Sequence, residues 1–255
     1  MSEGGAPSWP ALRRATPARI GLGRSGAGLP TAAHLDFQLA HALARDAVHA
    51  AFDPASIAAA VERRGLDPLV LCSAAGDRAT YLRRPDLGRR LDAASRATLV
   101  AHPPRPIDIV FVIADGLSAT AVHAHAAALL EATVARLGGA RRIGPVLIVT
   151  GGRVAIGDEI GGILGADLAA VLIGERPGLS AAASLGVYLT WQPAPGTVDA
   201  ARHCLSNIRP QGLPIPETAE RLAALIGAAR RHRMTGVRLS GRLASEGSRL
   251  LGKAG

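Results

Sequence analysis

Three stretches of this chain run apolar almost without a break: IDIVFVIADG at 107–116, GPVLIVTGGR at 144–153 and LAAVLIGERPG at 168–178. Runs of this length, closed by Gly, Asp or Pro, are too short for core helices and read as strands buried on both faces. A weaker run, LVLCSAA after Pro68, and the more amphipathic GVYLTWQP at 186–193 read as further strands. Helical segments alternate with them: roughly Asp86–Ala97, Ala119–Leu137, Asp158–Leu164, and a last helix opened by Pro216 and running to about Arg231. Doubly buried strands alternating with helices require a parallel sheet covered on both sides. The expected fold class is therefore α/β: a Rossmann-like, mainly parallel sheet with flanking helices. A small helical N-terminal region precedes it, with one helix from Thr31 through Ala51 and a shorter one from Asp53-Pro54 to about Arg64. The expected organisation is a loose tail at 1–15, the helical region at 16–65, the α/β domain at 66–240 and a frayed tail at 241–255.

In open α/β sheets, ligands bind beyond the carboxyl ends of the strands. Three such ends carry Asp115-Gly116, Gly151-Gly152-Arg153-Val154 and Gly174-Glu175, which should lie along one edge. Asp115 reads either as a cap on the following turn or as a ligand contact. Glu175 reads either as half of a surface pair with Arg176 or as an acceptor for amide and hydroxyl groups at the sheet mouth. Cys204 reads either as a buried, inert thiol or as the start of a ligand-facing loop.

Other signals narrow the function by what they lack. Gly21-Leu22-Gly23-Arg24-Ser25-Gly26 matches GxGxxG, and makes an NAD(P)-binding oxidoreductase the alternative reading. That motif needs a strand before it and a helix starting inside it; here Pro30 intervenes before the helix and the first clear strand comes some forty residues later. His123 and His125 are two apart on a helix and face different ways, which disfavours a shared metal. Two cysteines, Cys72 and Cys204, form no zinc-site spacing. The net charge is +9, but Lys253 is the only lysine and aromatics make up 3%, so stacking platforms for nucleic acid are scarce. No stretch approaches the roughly 18 apolar residues of a membrane span. The expected location is the cytoplasm.

Seven segments, in order, carry a resemblance: RIGLGRSG…PT from 19, AHALARDAV (40–48), AAGDRATYLRRPDLGRRLD (74–92), VIADGLSATAV (112–122), GRVAIGDEIGGILGA (152–166), LIGERPGL (172–179) and CLSNIRPQGLP (204–214). Together they resemble the small subunits of ethanolamine ammonia-lyases. The resemblance implies an enzyme that converts ethanolamine to acetaldehyde and ammonia with adenosylcobalamin. It implies a large subunit, a β/α barrel carrying substrate and catalytic groups, and a hetero-oligomer of large–small pairs. This chain would supply no catalytic group, would cover part of the cobalamin, and would work in the cytoplasm or in a bacterial microcompartment. The family's cobalamin contacts correspond to Val154 in the GRV segment, Glu175 in GERPG and Cys204 before SNI. The family keeps the cofactor's own base on cobalt, and this chain has no DxHxxG segment that would offer a histidine instead.

Overall fold

A computed structural model describes residues 8–16, 18–139 and 141–251. Six strands form one sheet: β1 (Pro68–Cys72), β2 (Ile109–Ala114), β3 (Ile143–Thr150), β4 (Leu168–Gly174), β5 (Leu185–Trp191) and β6 (Arg202–Ile208). Their order is β1-β3-β2-β4-β5-β6. The first four in that order are parallel, while β5 runs antiparallel to β4 and β6 antiparallel to β5. The mainly parallel α/β architecture is thus present. The strand at 185–191 reverses direction, and β6 restores the direction of β4.

The central strands explain why this sheet forms. Every residue of β2 and β4 is buried. Successive side chains point to opposite faces. Ile109, Phe111 and Ile113 enter one core with Ile57, Val122, Leu129 and Leu222. Val110, Val112 and Ala114 enter a second core with Leu99, Ile156 and Ile160. The helices divide accordingly. α3 (Pro54–Glu62), α6 (Ala119–Leu137) and α8 (Ile215–His232) cover the first face; α5 (Ala93–Val100) and α7 (Ile156–Leu164) cover the second. Each large side chain so buried contributes roughly 1.5–3 kcal/mol.

Caps mark several helix starts. Asp53, Asp77, Asp92 and Ser118 each accept from a backbone N–H in the first turn of α3, α4 (Arg78–Arg83), α5 and α6. Asp92 splits the single helix expected at 86–97. Residues Leu87–Arg89 form a 3-10 turn, Leu91 bridges Ser73, and a new helix begins at Ala93. Thr31 begins α2 (Thr31–His49) without capping it.

Of the segments expected to be tails, 1–15 contains α1 (Trp9–Ala15), and the last helix, α9 (Gly236–Leu251), starts before residue 241 and runs into 241–255. Residues 1–7 and 252–255 of those tails lie outside the described residues. No described helix is long and apolar enough to cross a membrane.

Candidate functional site

Because β2, β3, β4 and β6 point the same way, their carboxyl ends share one edge. The connections leaving β2 and β3 diverge there, one to α6 on the first face and one to α7 on the second. That divergence is the switch point at which such sheets open a crevice. Protein groups knit it together. Asp115 Oδ1 accepts from the Gly151 N–H at 2.8 Å, and Asp115 Oδ2 accepts from Arg78 Nη1 at 3.3 Å. Arg78 also donates to the Gly116 and Val48 carbonyls, at 2.7 and 2.6 Å. Burial pushes the Asp115 carboxyl up, against the pull of Arg78. Asp115 is therefore a cross-link between two strand ends and the end of α2, while Ser118 caps the following helix.

The larger opening lies on the α7 side of β5 and β6. It is a groove of about 980 Å³ with Val154, Ala155, Tyr188, Pro195 and Cys204 among its walls. Val154 lies in the loop that turns from β3 into α7. Its carbonyl accepts from the Gly157 N–H at 3.2 Å and starts the helix. α7 packs closely on β4 and on the chain after β5: a methyl at 157 would overlap Val171 and one at 161 would overlap Pro193. Only glycine permits that approach.

Cys204 lies within β6, not in a loop, and pairs in register with Tyr188 of β5. It is exposed, not buried. Partial desolvation raises its thiol pKa and the Glu175 charge adds to this, so the thiol stays protonated at neutral pH. Tyr188 is pushed up to about 12, by desolvation first and then by Cys204 and Glu175.

Glu175 follows β4 and lies outside the groove that Val154 and Cys204 share. Its carboxylate accepts from Ser184 Oγ at 2.7 Å and from the Asn207 N–H at 3.1 Å. Gly186 leaves the space that this side chain uses, since a methyl there would come within 3.1 Å of Oε1. Asn207, with φ of 57°, opens the turn to Leu213. Glu175 therefore fixes the ends of β4 and β6 to each other, and no bond to Arg176 occurs among the described residues.

The floor of the groove holds a pair that sequence reading missed. Arg202 and Asp158 meet there, and Arg202 also donates to Thr190 Oγ1 at 3.2 Å and to the Thr197 carbonyl at 2.7 Å. An arginine inside a short strand and an aspartate in the first turn of a helix were the available signals.

The remaining candidates resolve simply. Gly21, Gly23 and Gly26 all have positive φ, and no strand precedes them among the described residues. A side chain at 21 would run into the Trp9 ring, so the glycines serve a close backbone approach. His123 accepts from the Asp53 N–H at 3.1 Å and stacks on Phe52 at 5.5 Å. Among the described residues no group of three or more His, Cys, Asp or Glu side chains is placed to hold a metal.

Comparison with known proteins places the chain in a family. The family model described as ethanolamine ammonia-lyase light chain (EutC) matches residues 6–240. A protein of Azotobacter vinelandii named ethanolamine ammonia-lyase small subunit is 53% identical over 235 residues, covering 91% of this chain and 87% of the relative. A Xanthomonas campestris protein of the same name is 54% identical, again covering 91% and 87%. One from Pseudomonas putida is 52% identical over 251 residues, covering 94% and 92%. The chain belongs to the ethanolamine ammonia-lyase light-chain family.

Proposed function

We propose that this chain is the small subunit of an adenosylcobalamin-dependent ethanolamine ammonia-lyase. It holds the cofactor against a large subunit that binds ethanolamine and carries the catalytic side chains. The observation that carries the reading is the meeting of Val154 and Cys204, fifty positions apart in the chain, in one groove at the α7 face.

The residues suit such a ligand. Cobalamin presents an apolar macrocycle ringed by amide side arms, and its site needs apolar walls with a few polar anchors. Val154, Ala155, Pro195 and the Tyr188 ring supply walls. Arg153 Nε, next to Val154 in the chain, is buried without a partner. Val154 packs on the macrocycle, Cys204 adds a neutral contact, and Glu175 accepts from a side-arm amide while keeping its bonds to Ser184 and Asn207. When bound, adenosylcobalamin supplies a weak cobalt–carbon bond whose homolysis initiates the radical deamination of ethanolamine to acetaldehyde and ammonia. This chain orients the cofactor and excludes water from one side of it, and carries none of the groups that react with substrate.

The exposed Leu35, Leu39 and Leu43, four residues apart along α2, support a chain that a partner covers. The test is acetaldehyde release from ethanolamine by the co-expressed large and small chains, with and without adenosylcobalamin, against each chain alone. Activity should require both chains and the cofactor. Turnover by this chain alone, or by the pair without cofactor, would refute the reading.

A further inference from the structure

One rim of the groove carries more positive charge than its neighbours neutralise. Arg89, Arg90 and Arg153 line it next to Val154. The acidic residues nearby are already engaged. Asp158 pairs with Arg202 at 2.6 Å, and Asp199 approaches the same arginine at 3.3 Å. Glu159 pairs with Arg96 at 3.3 Å and accepts from the Leu91 N–H at 2.8 Å. Asp86 is gripped by Arg84 through two bonds of 2.9 and 2.8 Å, which leaves Arg90 at 4.0 Å. Among the described residues neither Arg89 nor Arg153 has an acidic partner.

Arg153 is also immobilised. Its guanidinium lies over the Tyr81 ring, 4.1 Å from the centroid, and Nη2 donates to the Tyr81 carbonyl at 3.1 Å. Its backbone N–H donates to the Gly88 carbonyl at 2.7 Å. Its stem crosses Gly88 so closely that a side chain there would approach Cγ to 2.8 Å. Yet Nε is buried and donates to nothing. A buried N–H left unmade is costly, and a fixed guanidinium without a counter-charge is prepared for an incoming anion. Its planar donors match the oxygens of a phosphate.

We propose that Arg153, with Arg89 and Arg90, forms an anion subsite that takes the phosphodiester of the nucleotide loop hanging from the corrin ring of cobalamin. This rests on the cobalamin reading above. Arg153 and Val154 are consecutive, so one loop meets both the charged and the apolar part of the ligand. The subsite distinguishes complete cobalamin from a corrinoid that lacks the loop.

The test is equilibrium binding to the assembled large–small complex, read by ultrafiltration and absorbance, with hydroxocobalamin and with cobinamide, which has the corrin ring but no nucleotide loop. Arg153→Gln should weaken hydroxocobalamin by roughly 10-fold or more, the loss of one charge-assisted hydrogen bond, and leave cobinamide within about twofold. Arg89→Gln, at an exposed side chain whose loss does not threaten the fold, should act in the same direction on the same ligand alone. Equal weakening of both corrinoids, or no weakening of either, would overturn the subsite while leaving cobalamin binding in place. A wild-type complex that binds neither corrinoid would overturn the cobalamin reading, and the subsite with it.

Discussion

Arg202 and Asp158 join through two parallel bonds, Nη1 to Oδ1 at 2.6 Å and Nη2 to Oδ2 at 2.7 Å, with each side chain only 3% exposed. Arg202 opens β6, two residues before Cys204; Asp158 lies in the first turn of α7, four residues after Val154. The pair therefore ties the two walls of the groove together through its floor. Desolvation works against both charges, and their mutual bonds oppose it.

Asp158→Ala leaves the Arg202 guanidinium buried without its main partner. The expected cost is about 3–5 kcal/mol, because a lone buried charge is far worse than a lost pair. Urea denaturation measures it. Replacing both residues together, Asp158→Leu with Arg202→Met, should recover most of the loss. A single variant as stable as wild type would show that water reaches the pair.

Glu175→Ala removes the acceptor for Ser184 and Asn207 together with the proposed cofactor contact. The variant complex should need more adenosylcobalamin for half-maximal rate, by the roughly 1.5–3 kcal/mol of a charge-assisted hydrogen bond. An unchanged cofactor requirement in a fully assembled variant would confine Glu175 to fastening β4 to β6.

Asp108 sits at the opposite end of the sheet. Burial disfavours its charge, but Arg142 Nη2 at 2.5 Å and Arg230 Nη1 at 3.0 Å outweigh that and hold the carboxyl down at about 2, against 3.8 in the unfolded chain. A folded pKa below the unfolded one gives stability that is present above the unfolded value and is lost as pH falls through the folded one. Urea midpoints should therefore decline between about pH 4 and pH 2, and Asp108→Asn should flatten that decline. Parallel profiles for the two proteins would contradict this.

Gly157→Ala adds a methyl where Val171 Cγ2 already lies. Lifting α7 from the sheet to admit it should cost about 1–3 kcal/mol and disturb the Val154 loop. Gly165→Ala is the companion: nothing crowds that position, but its φ of 61° at the end of α7 favours glycine, so the cost should come from backbone strain alone, about 1 kcal/mol. Thermal melts of the two variants should rank in that order.

The parts of the fold legible in the sequence were those that packing repeats along the chain. β2, β3 and β4 announce themselves because both faces are covered, so no polar residue is tolerated between their ends. α6 is legible at Ala119–Leu137 because a core-facing stripe persists over its whole length. β6 was hidden by the opposite circumstance. In Arg-His-Cys-Leu-Ser-Asn-Ile, Arg202 meets a buried carboxylate and Cys204 looks into an open groove, so only part of the strand is apolar. Cys204 consequently read as a buried thiol or a loop residue. The reversal of β5 was illegible because apolar patterning gives a strand's faces and not its direction.

The site shows the same division. Asp115, Val154 and Glu175 could be assigned to one sheet edge, because each follows a strand that the sequence defines. Their partners could not. The bonds Asp115–Gly151, Glu175–Asn207 and Arg202–Asp158 span 36, 32 and 44 positions and depend on strand order. Tyr188, which pairs in register with Cys204, carried no motif at all.

Whether the groove beside α7 holds the cofactor is read from the cobalamin retained by the assembled large–small complex when the groove is filled from this chain. Val154→Trp and Cys204→Trp each place a ring in the groove from a side chain that is not fully buried, so assembly and melting temperature should hold. Both variants should form the complex and retain little cobalamin after gel filtration. Full retention by both, at wild-type affinity, would show that the groove beside α7 does not hold the cofactor.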